Sequence, residues 1–111
     1  SNVRRSVIAR EQANINALQL ENTLRQSVET AVNDAVSAQR TFISAERQVS
    51  ARDEAFRMTK QRFDAGAANF VEYQVAENDL FQAKSDLLRA KYDLLFRKKL
   101  LDFYQGKPIL D

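Results

Sequence analysis

The side chains that could do chemistry in this sequence are carboxylates, lysines and arginines. The 111 residues include 17 lysines and arginines and 15 aspartates and glutamates, but no histidine and no cysteine. An imidazole base, a thiol nucleophile, a zinc finger and a disulfide framework are therefore excluded. The carboxylates that remain are scattered over positions typical of solvent-facing helix surfaces, without a pocket around them. We therefore expect no enzymatic activity, no cofactor, and no catalytic or metal-binding residues.

The charge balance and the hydropathy pattern exclude further classes of protein. The net charge of +2 is too weak for the electrostatic footprint of a nucleic-acid-binding protein, so no nucleic-acid partner is expected. No apolar run approaches the roughly 20 residues of a membrane-spanning helix. The first residues also lack the pattern of a signal peptide, because Val7-Ile8-Ala9 is followed at once by Arg10 and Glu11.

The composition and the placement of helix breakers predict two long helices. Ala, Leu, Gln, Glu, Lys and Arg make up 59 of the 111 residues, a share typical of coiled coils. Glycine and proline occur only at Gly66, Gly106 and Pro108. This pattern predicts a single domain over residues 1–111, with a helix over about 3–64, a turn over about 65–69, a helix over about 70–105 and a short tail.

A seven-residue repeat runs along both predicted helices. Each helix has a ladder of mostly large residues and, three positions further on, a ladder that begins with three alanines. The large ladders are Val28, Ala35, Phe42, Val49, Phe56 and Phe63, then Tyr73, Leu80, Leu87, Leu94 and Leu101. The small ladders are Ala31, Ala38, Ala45, Arg52 and Thr59, then Ala76, Ala83, Ala90, Arg97 and Tyr104. A strict seven-residue period predicts a left-handed coiled coil with a closely packed seam.

The residues between the two helices predict a tight reversal of the chain. Gly66 suits the left-handed conformation just after a helix end. Asn69 is a good N-cap, and Glu72 three residues later forms a variant of the capping box. Phe63 and Phe70 could pack across the turn. Because two helices joined so closely must run antiparallel, we predict an all-α fold: a long antiparallel two-helix coiled-coil hairpin.

The register of the hairpin follows from the position of the turn. If the chain reverses near residue 67, facing residues have numbers that sum to about 134, and the end of the second helix faces residue 29. The ladder in the first helix begins at Val28, where a partner becomes available. About 25 residues upstream of Val28 therefore have no partner in the hairpin, a length of about 37 Å at 1.5 Å per residue.

A second apolar stripe lies beside the ladders. Phe81, Leu88 and Leu95 form a column next to the large ladder of the second helix, and Val36 and Ile43 do the same in the first. A two-helix hairpin needs one narrow seam, so two adjacent columns make a face that one partner helix does not cover. This width favours a bundle or barrel in which each helix has neighbours on two sides.

The turn and its flanks resemble the TolC-type outer membrane efflux protein family. That family places an aromatic residue three positions before a glycine and an acidic residue six positions after it, and Phe63, Gly66 and Glu72 match. Further matches in the second helix are Leu80, Ala83, Ala90, Tyr92 and Asp93. The resemblance covers nearly the whole chain, up to the ending Asp102–Pro108.

The resemblance implies a structural role in a channel. Family members are trimers whose protomers each contribute two repeats, and a long α-helical barrel extends from the outer membrane across the periplasm. The lower tips of the hairpins form the periplasmic entrance and dock a periplasmic adaptor protein, which links the channel to an inner-membrane pump. By this resemblance the chain is the second hairpin of the periplasmic part of a Gram-negative outer membrane protein for multidrug efflux or type I secretion. Its membrane strands would belong to parts that are absent from this chain.

The resemblance also places the adaptor-binding residues at the hairpin tip. These expected residues are Phe63, Asp64, Ala65, Gly66, Ala67, Ala68, Asn69, Phe70 and Glu72. The small residues among them would allow an adaptor helix to approach closely. Some family members carry an arginine two residues after the tip glycine, where it supports a gating network. Because Ala68 occupies that position here, we expect no arginine lock at this tip.

Two other functions remain open. The chain could be the hairpin of a periplasmic adaptor, but such a tip should carry Arg, Leu and Ser along one helix face just after the turn. The first leucine and arginine after Gly66 are Leu80 and Arg89. The chain could also be a free-standing secreted two-helix interaction protein, but those usually carry Trp-x-Gly in the turn, and this sequence has no tryptophan. Both alternatives therefore rank below the channel.

Overall fold

The computed structural model of the chain describes residues 1–107 and contains two long helices. Helix α1 spans Asn2–Asp64 and helix α2 spans Phe70–Tyr104, so the fold is the all-α helical hairpin that the sequence predicted. The hairpin is a thin rod that measures 94 × 28 × 15 Å. Pro108 and the rest of the predicted tail, residues 108–111, lie outside the described residues.

Each helix starts at a side-chain cap that the sequence supplies. The Ser1 hydroxyl accepts a hydrogen bond from the Arg4 backbone N–H at 3.3 Å. The Asn69 Oδ1 atom accepts one from the Glu72 backbone N–H at 2.8 Å, which confirms the predicted N-cap of α2. The rest of the predicted capping box is wrong. The Glu72 carboxylate lies 3.7 Å from the Arg62 guanidinium and, over residues 1–107, makes no hydrogen bond back to Asn69, because the ion pair draws it across the turn.

Both helices end in the same glycine-based motif. Gly66 and Gly106 have φ values of 78° and 75°, the left-handed region that the sequence predicted for Gly66. The Ala67 N–H donates to the Arg62 carbonyl at 2.7 Å, and the Lys107 N–H donates to the Asp102 carbonyl at 2.8 Å. These bonds satisfy the last carbonyls of each helix, so the reversal leaves few backbone groups unpaired.

The seam between the helices consists of the predicted large and small ladders of both helices. The buried residues of the described chain all belong to these ladders: Ala31, Ala38, Leu80, Ala83, Ala90 and Leu94. Every other ladder residue is half-buried except Arg52 and Tyr104, which are exposed. Four of the six buried residues are alanines, so the helices approach closely at the small rungs and the leucines fill the space between them.

Three ion pairs join α1 to α2 and fix their register. The Arg52–Asp79, Arg62–Glu72 and Asp34–Arg97 pairs have N–O distances of 3.4, 3.7 and 3.2 Å. Their residue numbers sum to 131, 134 and 131, close to the predicted 134. All three pairs lie on the same side of the seam, which we call the ion-pair face. Partly exposed pairs contribute only about 0–1 kcal/mol each, so packing in the seam carries most of the stability.

Two apolar surfaces of the hairpin remain uncovered. The second stripe is exposed on both helices, and its fractional exposure reaches 71% at Phe81. The first 26 residues are also exposed, and burial begins at Ser27 and Val28, where α2 becomes available as a partner. We call the helical segment over residues 2–26 the overhang. It confirms that about 25 residues of α1 extend beyond the seam, over about 37 Å.

Candidate docking site at the hairpin tip

An aromatic cluster fixes the two helices where they meet the turn. The ring centroids of Phe63 and Phe70 are 6.3 Å apart, which confirms the predicted packing across the turn. The Tyr73 ring lies 5.1 Å from the Phe63 ring and 5.3 Å from the Phe56 ring, so it connects the large ladder of α2 to that of α1. Offset and tilted rings at such distances attract each other beyond their area burial. The cluster therefore gives the tip a defined shape.

The apex of the turn carries only small side chains. Ala65, Gly66 and Ala67 are exposed, and Ala68 is half-buried. A Cβ atom placed on Gly66 would have no neighbour within 4 Å, so the surface above the glycine is open. The Arg62 guanidinium donates a hydrogen bond to the Ala67 carbonyl at 3.3 Å and holds the turn against α1. The exposed Asp64 side chain lies beside this apex.

A groove of about 440 Å³ lies between the helices on the ion-pair face, directly behind the apex. It is lined by Arg52, Ala55, Thr59, Arg62, Asn69, Val71, Glu72, Val75, Ala76 and Asp79. Ala55, Thr59 and Ala76 contribute small side chains, while Val71 and Val75 project exposed methyl groups. The Arg62–Glu72 pair lies nearer the apex and the Arg52–Asp79 pair lies further from it.

The structure divides the predicted tip residues among the groove, the aromatic cluster and the apex. Asn69 and Glu72 line the groove, while Phe63 and Phe70 belong to the aromatic cluster. The remaining five form or flank the apex: Asp64, Ala65, Gly66, Ala67 and Ala68. The predicted set covers residues 63–72 except Val71, and the groove draws most of its lining, Val71 included, from residues outside that set.

The sequence did contain a signal for the missed residues. Arg52 interrupts the alanine ladder of α1, and Asp79 follows Glu72 by seven residues on the same side of α2. An arginine at an alanine-ladder position is too large and too polar for the seam, so its guanidinium points to the side of the seam. There it can form an ion pair with an acidic residue on the facing helix. The Arg52–Asp79 pair, at the end of the groove further from the apex, follows from this departure from the alanine ladder.

The chemistry available at the tip is that of recognition. Within residues 1–107, no group of three or more Asp or Glu side chains is placed to hold a metal ion. Glu54 on the outer surface of α1 has a lowered pKa because the Arg57 guanidinium donates hydrogen bonds to its carboxylate. A lowered pKa keeps that group ionised, which is the opposite of what a general acid needs at neutral pH. The groove itself offers methyl groups between paired charges, a surface suited to another helix.

The chain matches a known protein family over nearly its whole length. A protein-family model described as outer membrane efflux protein matches residues 1–106. No curated protein and no solved structure matches the chain. Neither α1 nor α2, as far as the structure describes them, is long and apolar enough to cross a membrane.

Proposed function

We propose that this chain, which belongs to the outer membrane efflux protein family, is a hairpin of the periplasmic helical barrel of a channel and docks an adaptor through its tip. The family consists of outer membrane efflux channel components rather than enzymes. The observation that carries the docking proposal is the groove behind the apex, because it combines exposed apolar groups with fixed charges next to a turn free of bulky side chains.

The occupant we propose is the helical hairpin of a periplasmic adaptor protein. A helix lying along the groove would place apolar side chains against Val71 and Val75, with its backbone close to the small residues Ala55 and Ala76. The Arg52–Asp79 and Arg62–Glu72 pairs would then provide polar contacts around these apolar residues. Such an arrangement, an apolar centre with a polar rim, is the usual anatomy of a protein interface.

The exposed second stripe supports the remaining parts of the proposal. A helix with an apolar column outside its seam is suited to neighbours on two sides, as in a homotrimeric barrel. The parent protein would then cross the periplasm of a Gram-negative cell, contact the outer membrane through other parts, and reach an inner-membrane pump through the adaptor. Multidrug efflux and type I secretion both fit this arrangement.

The substitution Val75→Glu tests the groove. Val75 is 53% exposed, so the variant keeps the seam, but it places an unpaired charge among the apolar groups of the groove. We expect binding of purified adaptor hairpins with Arg, Leu and Ser along one helix face to weaken by at least about tenfold, as for a central interface residue. Titration by isothermal calorimetry measures the dissociation constant.

The matched control is Tyr92→Glu, at an exposed position of the same helix outside the groove. It should leave the affinity for the same adaptor hairpins unchanged. Circular dichroism should give equal helicity for both variants and the parent chain. Equal affinity of Val75→Glu and Tyr92→Glu, or no binding of any adaptor hairpin to the parent chain, would refute docking in this groove.

A further inference from the structure

One nitrogen atom of Arg62 contacts both the turn and the second helix. This Nη2 atom donates the hydrogen bond to the Ala67 carbonyl at 3.3 Å and lies 3.7 Å from the Oε2 atom of Glu72. The Arg62 carbonyl also accepts a hydrogen bond from the Ala67 N–H at 2.7 Å. Arg62 is therefore bonded to Ala67 twice, through its backbone and through its side chain. We call the side-chain contacts of Arg62 with Ala67 and Glu72 the Arg62 link.

The Arg62 link joins two surfaces of the tip. Arg62 and Glu72 line the groove on the ion-pair face, whereas Ala67 is an exposed residue of the apex. Over residues 1–107, no other side chain of α1 or α2 donates a hydrogen bond to the backbone of the turn. A change of charge in the groove can therefore reach the apex through this one side chain.

Glu72 fixes the direction of the Arg62 guanidinium. The Asn69 side chain accepts a hydrogen bond from the Glu72 N–H at 2.8 Å, so the glutamate starts from a defined backbone position. The Arg62 side chain is 57% exposed, and an exposed arginine loses conformational entropy when it is held in one direction. Attraction to the Glu72 carboxylate offsets part of that cost. The hydrogen bond to the Ala67 carbonyl therefore depends on the charge of Glu72.

The Arg52–Asp79 pair provides an internal comparison. It lies at the other end of the groove, its N–O distance is 3.4 Å, and both of its side chains are 45% exposed. The Arg62–Glu72 pair has a similar distance and similar exposure. Within the described residues, however, the Arg52 guanidinium donates a hydrogen bond to Asp79 and none to the turn. The two pairs have the same chemistry, but only the Arg62–Glu72 pair is connected to the apex.

We propose that the Arg62 link couples the groove to the apex, so that the charge of Glu72 controls how firmly the turn is held on the end of α1. While Glu72 pairs with Arg62, the guanidinium stays on the Ala67 carbonyl and the turn stays closed. When the carboxylate is neutralised or taken by another cation, the guanidinium turns to solvent and the turn opens more often. Coupling between two sites is reciprocal, so opening of the turn also weakens the ion pair in the groove.

The coupling gives the tip a response to what occupies the groove. A docked helix that brings a basic side chain to Glu72 competes with Arg62 for the carboxylate, and it thereby loosens the turn. A docked helix without such a side chain leaves the ion pair intact and the turn closed. This consequence rests on the proposed adaptor docking, whereas the Arg62 link belongs to the hairpin itself and can be measured on the chain alone.

Amide hydrogen exchange of Ala67, measured by NMR on the purified chain, tests the coupling. This amide exchanges when the turn opens, because its bond to the Arg62 carbonyl must then break. We expect Arg62→Gln and Glu72→Gln each to raise the exchange rate about threefold to tenfold, as for the loss of one hydrogen bond. The matched controls are Arg52→Gln and Asp79→Asn, which remove the same charges at the other end of the groove and should leave the Ala67 rate unchanged.

The double variant separates coupling from two independent effects. Glu72 lies in the first turn of α2, where a carboxylate also stabilises the helix N-terminus without help from Arg62. If Glu72 acts through Arg62, Glu72→Gln should have almost no effect on the Ala67 rate in a chain that already carries Arg62→Gln. Additive effects in the double variant, or a parental Ala67 rate in the Glu72→Gln chain, overturn the proposal. Failure of adaptor hairpins to bind the parent chain would refute the docking alone, because none of these rates involves an adaptor.

Discussion

Leu94→Asp is expected to unfold the hairpin. Leu94 is 9% exposed and lies in the seam next to Ala90 and Arg97 of the neighbouring ladder. The substitution removes a buried leucine side chain, which costs about 2–5 kcal/mol, and introduces a carboxylate without a buried partner. A chain of this size has a total stability of about 5–15 kcal/mol. We therefore expect the melting temperature, followed by circular dichroism at 222 nm, to fall by at least about 15 °C.

Tyr92→Asp is the matched control for this prediction. Tyr92 is two residues away on the same helix, it is 61% exposed, and it lies outside the seam. It introduces the same side chain into the same helix turn, so differences in helix propensity are small. We expect its melting temperature to change by only a few degrees. If the two aspartate variants melted at the same temperature, the seam would not be where the ladders place it.

Ala83→Leu is expected to force the helices apart. Ala83 is 4% exposed and sits on a small rung where the two backbones approach closely. Three added carbon atoms cannot be accommodated there without a shift of α1, and overpacking of this kind costs about 1–3 kcal/mol. Leucine and alanine are both strong helix formers, so a loss of stability in urea unfolding would report packing rather than helix propensity.

Ala51→Leu provides the comparison for the overpacked variant. Ala51 is exposed on α1, away from the seam, so the same enlargement there meets solvent. We expect its free energy of unfolding to stay within about 0.5 kcal/mol of the parent chain, as for most surface substitutions. An Ala83→Leu chain as stable as the Ala51→Leu chain would mean that the small ladder does not set the distance between the helices.

The hairpin could be predicted from the sequence because its determinants are local or periodic. The absence of Gly and Pro between residues 2 and 64 permits one long helix, and Gly66 with Asn69 specifies where it ends and the next begins. The seven-residue ladders then select the buried face. Leu80 and Ala83 are among the most buried residues, and both were identified by spacing alone.

The details of the tip could not be predicted because they depend on side-chain directions. The capping-box pattern at Asn69 and Glu72 predicted a bond from Glu72 back to the helix start, but the Arg62 guanidinium competes for the same carboxylate across the turn. Likewise, the groove depends on Arg52 reaching Asp79, a contact between residues 27 positions apart. Such contacts require the register of the two helices, which spacing gives only to within a few residues.

The family and the proposed docking surface depend on different parts of the chain. The family is set by the whole chain, since the family model matches residues 1–106. The surface that we propose for the adaptor is set by a few side chains near the tip. Because the groove shares Asn69 and Glu72 with the turn itself, the residues that build the reversal also build the candidate docking site. If the adaptor binds as proposed, folding and recognition depend on the same residues at one end of the rod.

The distance between spin labels on the two helices tests the hairpin most directly. Labels attached to Glu46→Cys and Lys84→Cys, in chains diluted with unlabelled protein, should lie within about 20 Å, because packed helix axes are only about 8–10 Å apart. If residues 63 to 72 instead continued one unbroken helix, the labels would be 38 residue steps apart and separated by about 57 Å. Double electron–electron resonance distinguishes these values. A dominant distance near the longer one would contradict the hairpin and every function argued from its tip.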